Sequence, residues 1–303
     1  MTAFNRFGNM FPSDRMMESS YLLAEDPFQI YGNLYHVGNT WCSSHLIDTG
    51  EGLILLDTPC ANELAYLIDN IYRLGFELRD LKIILVSHAH ADHYGSVNAL
   101  KYLTGAKTMM GRVDSLDMQA RREEMEARTM GPNRAKDECF VPDVMLDDGD
   151  VVELGNTSIR CVLTPGHTIG VMSHFWTAHG PEGDKKVGIY GGAGFVTLQP
   201  QNIERMGLPA DIREQFAASI DKVWDEPVDI MLGNHPFHSD IYDKHERQLR
   251  EGGNPFIDPA EWHRFLTELK ERYAQFLKMT PGEIKAMYAE SDFFKYRPSA
   301  AKR

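Results

Sequence analysis

The stretch LKIILVSHAHADHYGS, residues 81–96, joins an apolar run to an unusual cluster of polar side chains. The run LKIILV predicts a buried strand, because apolar stretches of this length fit a sheet that is covered on both faces. The apolar spacing at Val97, Leu100 and Leu103 then predicts a helix. The hexapeptide HAHADH, residues 88–93, is therefore predicted to lie where a strand gives way to a helix.

This hexapeptide carries four possible metal ligands, His88, His90, Asp92 and His93. In extended chain, residues i and i+2 point to the same side, so His88 and His90 are predicted to bind one cation. Asp92 and His93 lie past the bend and are predicted to bind another. Imidazole and carboxylate together suit zinc and other first-row divalent metals. The alternative is a solvated histidine-rich turn, but burying these groups without a metal would leave them unpaired.

Two further histidines follow apolar strands and are candidates to complete the two sites. His167 lies in LTPGHTIG, directly after a predicted strand at residues 158–164. His235 lies in MLGNHPF, directly after a predicted strand at residues 228–232. Both histidines sit in sharp turns at strand ends, which is where the hexapeptide also lies.

The rest of the chain alternates short strands with helices. FQIYGNLYHVG, WCSSHLIDTG and GLILLDT, from residue 28, have the turn spacing of antiparallel hairpins, and further strands are predicted within residues 141–191. Helical patterns cover residues 61–74, 112–128, 212–224, 241–250, 259–278 and 281–290. Strands, a helix, a strand and a helix recur in each half, which predicts one four-layer αββα domain with the sheets inside. No Pro/Gly/Ser-rich linker divides the chain into two domains.

Composition and charge exclude several classes of partner. The net charge of -13 argues against nucleic acid and anionic membrane surfaces, since Lys and Arg hold both. No apolar run is long enough to cross a bilayer, and the polar residues scattered through residues 1–30 do not form a signal peptide. A cytoplasmic protein is therefore expected. The four widely separated cysteines are predicted to be buried or idle thiols without a metal role.

The motifs resemble those of the metallo-β-lactamase superfamily. HAHADH is similar to its HxHxDH signature, LLDTP (residues 55–59) to its first motif, TPGHT (164–168) to its third and GNHP (233–236) to its last. The resemblance covers residues 28–240. It implies a first metal site of His88, His90 and His167 and a second of Asp92, His93 and His235. It also implies two zinc ions per chain, with other first-row metals as alternatives, and a small-molecule substrate.

The change in residue pattern at Phe28 predicts that residues 1–27 are an N-terminal arm packed on the body. Residues 28–258 are expected to form the metallo-β-lactamase-like domain, and residues 259–303 a C-terminal helical extension of that domain.

One departure from the family pattern points to a subclass. Glyoxalase II-like thioesterases and lactonases place a metal-bridging Asp where this chain has Gly191 or Gly192. A site with neither Asp nor Cys at that place resembles subclass B3 metallo-β-lactamases. The resemblance implies a dinuclear zinc hydrolase in which a metal-bridging hydroxide opens a β-lactam or a related cyclic amide or ester. Asp92 is the catalytic candidate, to orient the nucleophile or relay a proton. A lactone hydrolase, a thioesterase and a non-catalytic metal-binding protein are the alternatives.

Other residues are given supporting roles near the predicted site. Asp57 is expected to accept the second N–H of a ligand histidine, with an ordinary turn aspartate as the alternative. For His238, a supporting position behind the ligands is favoured over a role as proton carrier. Substrate choice is expected to depend on the N-terminal arm and on loops around Trp41, residues 109–112 and residues 195–202.

Overall fold

Two β-sheets packed face to face, with helices on both outer sides, make up the computed structural model, which describes residues 19–127 and 138–289. The predicted αββα layering is therefore observed. Residues 1–18 and 290–303 lie outside the described residues. The predicted packing of the N-terminal arm can be followed only from residue 19 onward, where Leu23 is buried in the core between the sheets.

The first sheet has seven strands in the order of the chain, antiparallel from β1 to β4 and parallel from β4 to β7. They are β1 (Phe28–Tyr31), β2 (Leu34–His36), β3 (His45–Asp48), β4 (Leu53–Leu56), β5 (Leu81–Val86), β6 (Lys107–Gly111) and β7 (Val144–Leu146). The hairpins predicted from Phe28 onward are confirmed as β1 to β4.

The expectation of a loop at residues 109–112 is wrong. Met109 and Met110 lie in β6, where they pair with Leu85 and Val86 of β5. Their side chains are buried on opposite faces of the sheet, in different apolar clusters. Methionine favours helix over strand, so pairing with the neighbouring strands decides the conformation here.

The second sheet has five strands in the order β12-β11-β10-β9-β8. They are β8 (Val151–Leu154), β9 (Thr157–Leu163), β10 (Met172–Ala178), β11 (Lys185–Tyr190) and β12 (Ile230–Gly233). Only β11 and β12 are parallel neighbours. β12 begins two residues later than predicted. Before it, Asp229 bonds to Lys186 twice, since its backbone N–H donates to the Lys186 carbonyl oxygen and its carboxylate accepts the Lys186 backbone N–H, each at 2.7 Å.

The helices lie mainly where apolar spacing predicts them. They are α1 (Leu64–Arg73), α2 (Ala91–Tyr94), α3 (Val97–Thr104), α4 (Arg112–Ala120), α5 (Arg122–Ala127), α6 (Pro200–Met206), α7 (Ile212–Lys222), α8 (Ile241–Glu251), α9 (Glu261–Phe276) and α10 (Pro281–Ala289). The helix predicted at 112–128 is broken at Arg121, and residue 128 is outside the described part. Residues 200–206 form α6, which starts with proline at its first position, so the end of the loop expected at residues 195–202 is helical.

Three apolar clusters fill the three spaces between the four layers. Alternate residues of each strand point to opposite faces, so Ile54 and Leu56 of β4 enter the cluster between the sheets. Leu53 and Leu55 enter the cluster beneath α1 and α3. On the far side, Trp262 and other apolar residues of α9 pack with α7 against the second sheet. The two sheets are thereby held in a fixed relation, which fixes where their strand ends meet.

All four cysteines are buried and form no disulfide bond, as the sequence predicts. Within residues 19–127 and 138–289, the helices are too short or too polar to cross a bilayer.

Candidate metal centre

The six predicted ligands meet at one edge of the sandwich, where strands of both sheets end. His88 and His90 follow β5, His167 follows β9 and His235 follows β12. They form two groups of three, and within each group one ligand atom per residue lies within 4.8 Å of the others. We call His88, His90 and His167 the first group, and Asp92, His93 and His235 the second group. The His88 and His93 rings lie 4.2 Å apart between centroids, so the two groups adjoin.

Hydrogen bonds fix the tautomers of the three histidines in the first group. The Nδ1–H of His167 donates to the carbonyl oxygen of Gly194 at 2.9 Å. The Nδ1–H of His88 donates to Ser87 Oγ at 2.9 Å, since the Ser87 hydroxyl proton goes to Asp57. The Nε2 of His88 accepts the Nδ1–H of His90 at 3.1 Å, a hydrogen bond that a metal ion between these two nitrogens would replace. The Nε2 atoms of His88 and His167 therefore both carry the lone pair that a metal requires.

The second group is oriented in the same way. The Nδ1–H of His235 donates to the carbonyl oxygen of Trp41 at 2.6 Å, and the Nδ1–H of His93 donates to Asp57 at 3.0 Å. Their Nε2 atoms lie 3.8 and 3.7 Å from the same oxygen of Asp92, too far for hydrogen bonds. The three ligand atoms thus surround a common point without bonding to each other.

Asp57 has the supporting position that the sequence predicts. Its carboxylate accepts from the Ser87 backbone N–H at 2.7 Å, from Ser87 Oγ–H at 2.8 Å and from His93. The residue is buried and holds a left-handed backbone conformation with φ of 58°, which is uncommon outside glycine. Asp57 fixes the tautomer of His93 directly and that of His88 through Ser87, so it acts on both groups.

Burial keeps four of the imidazoles neutral. Desolvation lowers the pKa of His167 and of His235 to about 4. It also lowers the pKa of His88 and of His90 well below the ordinary value. The four rings are therefore in their metal-binding form at neutral pH.

Asp92 and His93 are shifted toward their charged forms. Burial alone would raise the pKa of Asp92, but the neighbouring His93 and His235 outweigh it and hold that pKa well below its usual range. Burial alone would lower the pKa of His93, but Asp92 and Asp57 outweigh it and raise that pKa. The carboxylates of Asp92 and Asp57 therefore favour a positive charge beside them, either a proton on His93 or a metal ion.

The side chains of both groups fit a divalent metal ion. Among the residues that the structure describes, none offers a hydrogen-bond partner to the buried Nε2 of His93. Burying such an atom unpaired is costly, and a cation at the common point of the second group would satisfy it. Three imidazoles in one group, and two imidazoles with a carboxylate in the other, are donor sets that zinc accepts.

Gly191 and Gly192 lie at the end of β11, close to His167. A Cβ on Gly192 would lie 2.5 Å from Cδ2 of His167, and a Cβ on Gly191 would overlap the Met172 carbonyl oxygen. Packing therefore leaves no room for a side chain at either position. Glycine is therefore the residue that fits at both positions. It also cannot supply a bridging carboxylate.

His238 is buried behind His235. Its ring centroid lies 5.3 Å from that of His235, and its Nδ1 lies 3.2 Å from Oδ1 of Asn234. Asn234 in turn donates to the Gly191 carbonyl oxygen. This position supports the loop that carries His235, in keeping with the supporting role favoured from the sequence.

Asp114 supports the first group and was not predicted. It is fully buried at the start of α4, and its carboxylate accepts the Ala89 and Gly170 backbone N–H groups at 2.8 and 2.6 Å. It also accepts the Thr168 hydroxyl at 2.6 Å. Asp114 thus joins the loop of His88 and His90 to the loop of His167. An Asp in the first turn of a predicted helix was the available signal, but it is common at such positions.

Replacing Asp114 with alanine should lower both stability and metal affinity at the first group. Three donors would be left buried and unpaired, and we expect a loss of about 3 kcal/mol in the free energy of unfolding. Urea unfolding of the metal-free protein measures this loss, and zinc titration measures the affinity. Asp69→Ala, on the exposed face of α1, is the control. An unfolding free energy of Asp114→Ala equal to that of the control would contradict this role.

A cleft borders on the first group at His90 and His167. The lining of the cleft is mainly apolar, and the ion pair of Arg121 with Asp117 is its charged part. Its remaining lining residues are Ala89, Met125, Thr168, Ile169, Thr197, Met206 and Leu208. Of the segments expected to choose the substrate, residues 195–202 reach this cleft through Thr197.

With the geometry established, comparison with known proteins identifies the family. A family model described as the metallo-beta-lactamase superfamily matches residues 38–178, which include five of the six ligands and Asp57. Residues 38–178 form a metallo-β-lactamase superfamily domain. The family and the fold predicted from the sequence are therefore confirmed.

Solved metallo-β-lactamases share this fold over most of the chain. BJP-1 of Bradyrhizobium japonicum, a subclass B3 metallo-β-lactamase, is 28% identical with a TM-score of 0.75, over 88% of this chain and 97% of its own. FEZ-1 of Legionella gormanii is 29% identical with a TM-score of 0.72, over 84% of this chain and 97% of its own.

A curated relative carries a different hydrolase name. Hydroxyacylglutathione hydrolase of Rhodopseudomonas palustris is 32% identical over 119 residues, which are 39% of this chain. The match spans 36% of that relative's length. The named relatives are hydrolases, in line with the predicted enzyme class.

Proposed function

We propose that this protein is a dinuclear zinc-dependent hydrolase of the B3 metallo-β-lactamase type, which opens a β-lactam or a related cyclic amide or ester. The observation that carries the proposal is the pair of adjoining ligand groups, each with three donor atoms within 4.8 Å of one another. Three protein ligands leave a tetrahedral zinc one position for water or substrate. Two such positions side by side suit hydrolysis better than metal storage.

Zinc held by the two groups would supply a Lewis acid for the scissile carbonyl and water acidic enough to ionise near neutral pH. The protein's own contribution is to fix the ligands. Asp57 holds the tautomers of His88 and His93, and Asp114 holds the two loops of the first group together. Asp92, ionised in its setting, is the side chain placed to orient the attacking water and to accept its proton.

The cleft beside His90 and His167 is too small to enclose a substrate, because its free volume is only ≈ 30 Å³, so it would contact one edge of a small molecule bound at the ligand groups. Its mainly apolar lining suits a hydrophobic part of such a molecule. The ion pair of Arg121 and Asp117 adds little net charge to this lining.

A thioesterase or lactonase is the second candidate, favoured by the name of the curated relative. The glycines at 191 and 192 weigh against it, since they provide no bridging carboxylate and exclude any side chain there. A non-catalytic metal-binding protein is the third candidate.

Hydrolysis by the zinc-loaded protein tests these candidates. The protein would be assayed on a β-lactam, a lactone and a thioester, with and without a chelator. We expect chelator-sensitive turnover of a cyclic amide or ester. Turnover of the thioester alone would favour the thioesterase. Absence of turnover of all three by protein with two bound zinc ions would favour the non-catalytic candidate.

Zinc binding at the second group should release a proton near neutral pH, whereas binding at the first group should release little. The raised pKa of His93 keeps it partly protonated without metal, and zinc must displace that proton. The affinity of the second group for zinc should therefore fall as the pH drops through the pKa of His93. Calorimetric titration in two buffers of different ionisation enthalpy counts the protons. Equal proton release at both steps would contradict this expectation.

A further inference from the structure

The loop of residues 39–44, between β2 and β3, touches all three side chains of the second group from behind. The indole N–H of Trp41 donates to Oδ2 of Asp92 at 2.9 Å. The Trp41 carbonyl oxygen accepts from His235 Nδ1–H at 2.6 Å. Cys42 Sγ lies 3.5 Å from Nδ1 of His93. One short segment therefore supports a complete ligand set that comes from two distant parts of the chain.

The contact with Asp92 fixes the oxygen that faces the other two ligands. Oδ2, which accepts the indole N–H, is also the oxygen that lies 3.7 Å from His93 Nε2 and 3.8 Å from His235 Nε2. A free carboxylate rotates about its terminal bond with little restriction. The indole N–H holds this one in a single orientation.

The contacts with His235 fix both its tautomer and its ring plane. The Trp41 carbonyl oxygen can only accept, so it places the His235 proton on Nδ1 and leaves Nε2 free. The Trp41 ring packs against the His235 ring with centroids 4.7 Å apart. The ring of Phe237 lies on His235 as well, with centroids 5.1 Å apart. The Trp41 and Phe237 centroids lie 5.9 Å apart, so the three rings form one cluster, and one hydrogen bond sets the direction of His235 within it.

The loop itself is firmly anchored. Oδ1 of Asn39 accepts the backbone N–H groups of Trp41 and Cys42, each at 2.8 Å. The Asn39 amide donates to Glu63 Oε2 at 2.8 Å. Trp41 is only 6% exposed, so its ring is enclosed by protein and serves as a support.

We infer that Trp41 is a positioning residue of the second metal site, which holds Asp92 and His235 in the geometry that binds zinc. The inference rests on the proposed dinuclear function and adds to it a residue outside the ligand set. Groups that orient metal ligands typically change metal affinity by about 10- to 100-fold when they are removed. The same range is expected for loss of the Trp41 indole N–H.

Zinc titration of the Trp41→Phe variant against a competing chelator tests the inference. Phenylalanine retains a ring beside His235 and the backbone carbonyl but loses the N–H. We expect zinc to bind about 10- to 100-fold more weakly at the second group, whereas the affinity of the first group for zinc should not change. Trp176→Phe is the matched control, because Trp176 is also buried and its indole N–H has no hydrogen-bond partner among the described residues. The control should bind both ions as the wild type does.

A second variant separates the N–H from the packing of the ring. Benzothienylalanine placed at position 41 replaces the indole N–H with sulfur at nearly constant shape. It should weaken zinc binding at the second group as much as Trp41→Phe does. The spectrum of cobalt bound at the second group should change in both variants, because the orientation of Asp92 changes. Normal affinity for both zinc ions in either variant, or equal weakening of both, would overturn the inference. Wild-type protein that binds fewer than two zinc ions would instead overturn the dinuclear proposal.

Discussion

Replacing His167 with alanine should reduce hydrolysis by about 1,000-fold or more and remove one zinc ion per chain. The first group would keep only His88 and His90, and loss of a Lewis acid that supplies several kcal/mol of transition-state stabilisation accounts for the size of the effect. Steady-state kinetics and metal analysis of the same preparation measure both changes. The second zinc should stay bound, since His93 and His235 donate their Nδ1–H groups to Asp57 and to the Trp41 carbonyl oxygen, which the substitution leaves in place.

His263→Ala is the control for this substitution. His263 is exposed on α9 and packs against Trp224, well apart from the ligand groups. His235→Ala is the complementary variant and should empty the second group while the first zinc remains. Full activity with two zinc ions in His167→Ala would show that the assignment of the first group is wrong.

Replacing Gly192 with alanine should lower activity by about 100-fold, although alanine adds no charge. The new Cβ would lie 2.5 Å from the His167 ring, which must then rotate or shift away from the first group. Misplacing a catalytic group by about 1 Å is enough for a loss of this size. Gly192→Asp should be at least as harmful, and its charge adds to the effect of the contact. Kinetics and first-site zinc affinity of both variants provide the measurement.

Gly194→Ala provides a graded control for the contact at His167. Its Cβ would lie 3.2 Å from Cε1 of His167, a tight contact that a small shift relieves. Its activity should therefore fall between that of the wild type and that of Gly192→Ala. Normal activity in Gly192→Ala with low activity in Gly192→Asp would contradict the steric account and favour a purely electrostatic role for this position.

The ligand positions could be predicted because each lies directly after an apolar strand. Strand ends of a layered α/β fold meet at one edge, so motifs far apart in sequence, such as those of His88 and His235, could be placed together. Asp57 could be predicted for the same reason. The resemblance to the metallo-β-lactamase superfamily then divided the six ligands into two groups, and the structure brings them together in those groups.

The residues that hydrogen-bond to the ligands or to their loops could not be predicted, because these hydrogen bonds depend on tertiary contacts. Trp41 and Asp114 lie in segments without a metal-ligand pattern, and only the packed structure brings them to Asp92 and Thr168. The strand β6 was missed since its methionines favour helix locally, and pairing with the neighbouring strands overrides that preference. The steric need for Gly192 depends on where the His167 ring comes to lie. The spacing of residues in the sequence does not show which side chains from distant segments come into contact.

The most direct test of the central claim is anomalous diffraction from crystals of the zinc-loaded protein. Our account predicts two zinc peaks per chain. One should lie within bonding distance of His88, His90 and His167, at about 2.0 to 2.1 Å from each ligand nitrogen. The other should lie within bonding distance of Asp92, His93 and His235. A single peak, or peaks that do not contact these two groups, would contradict the account.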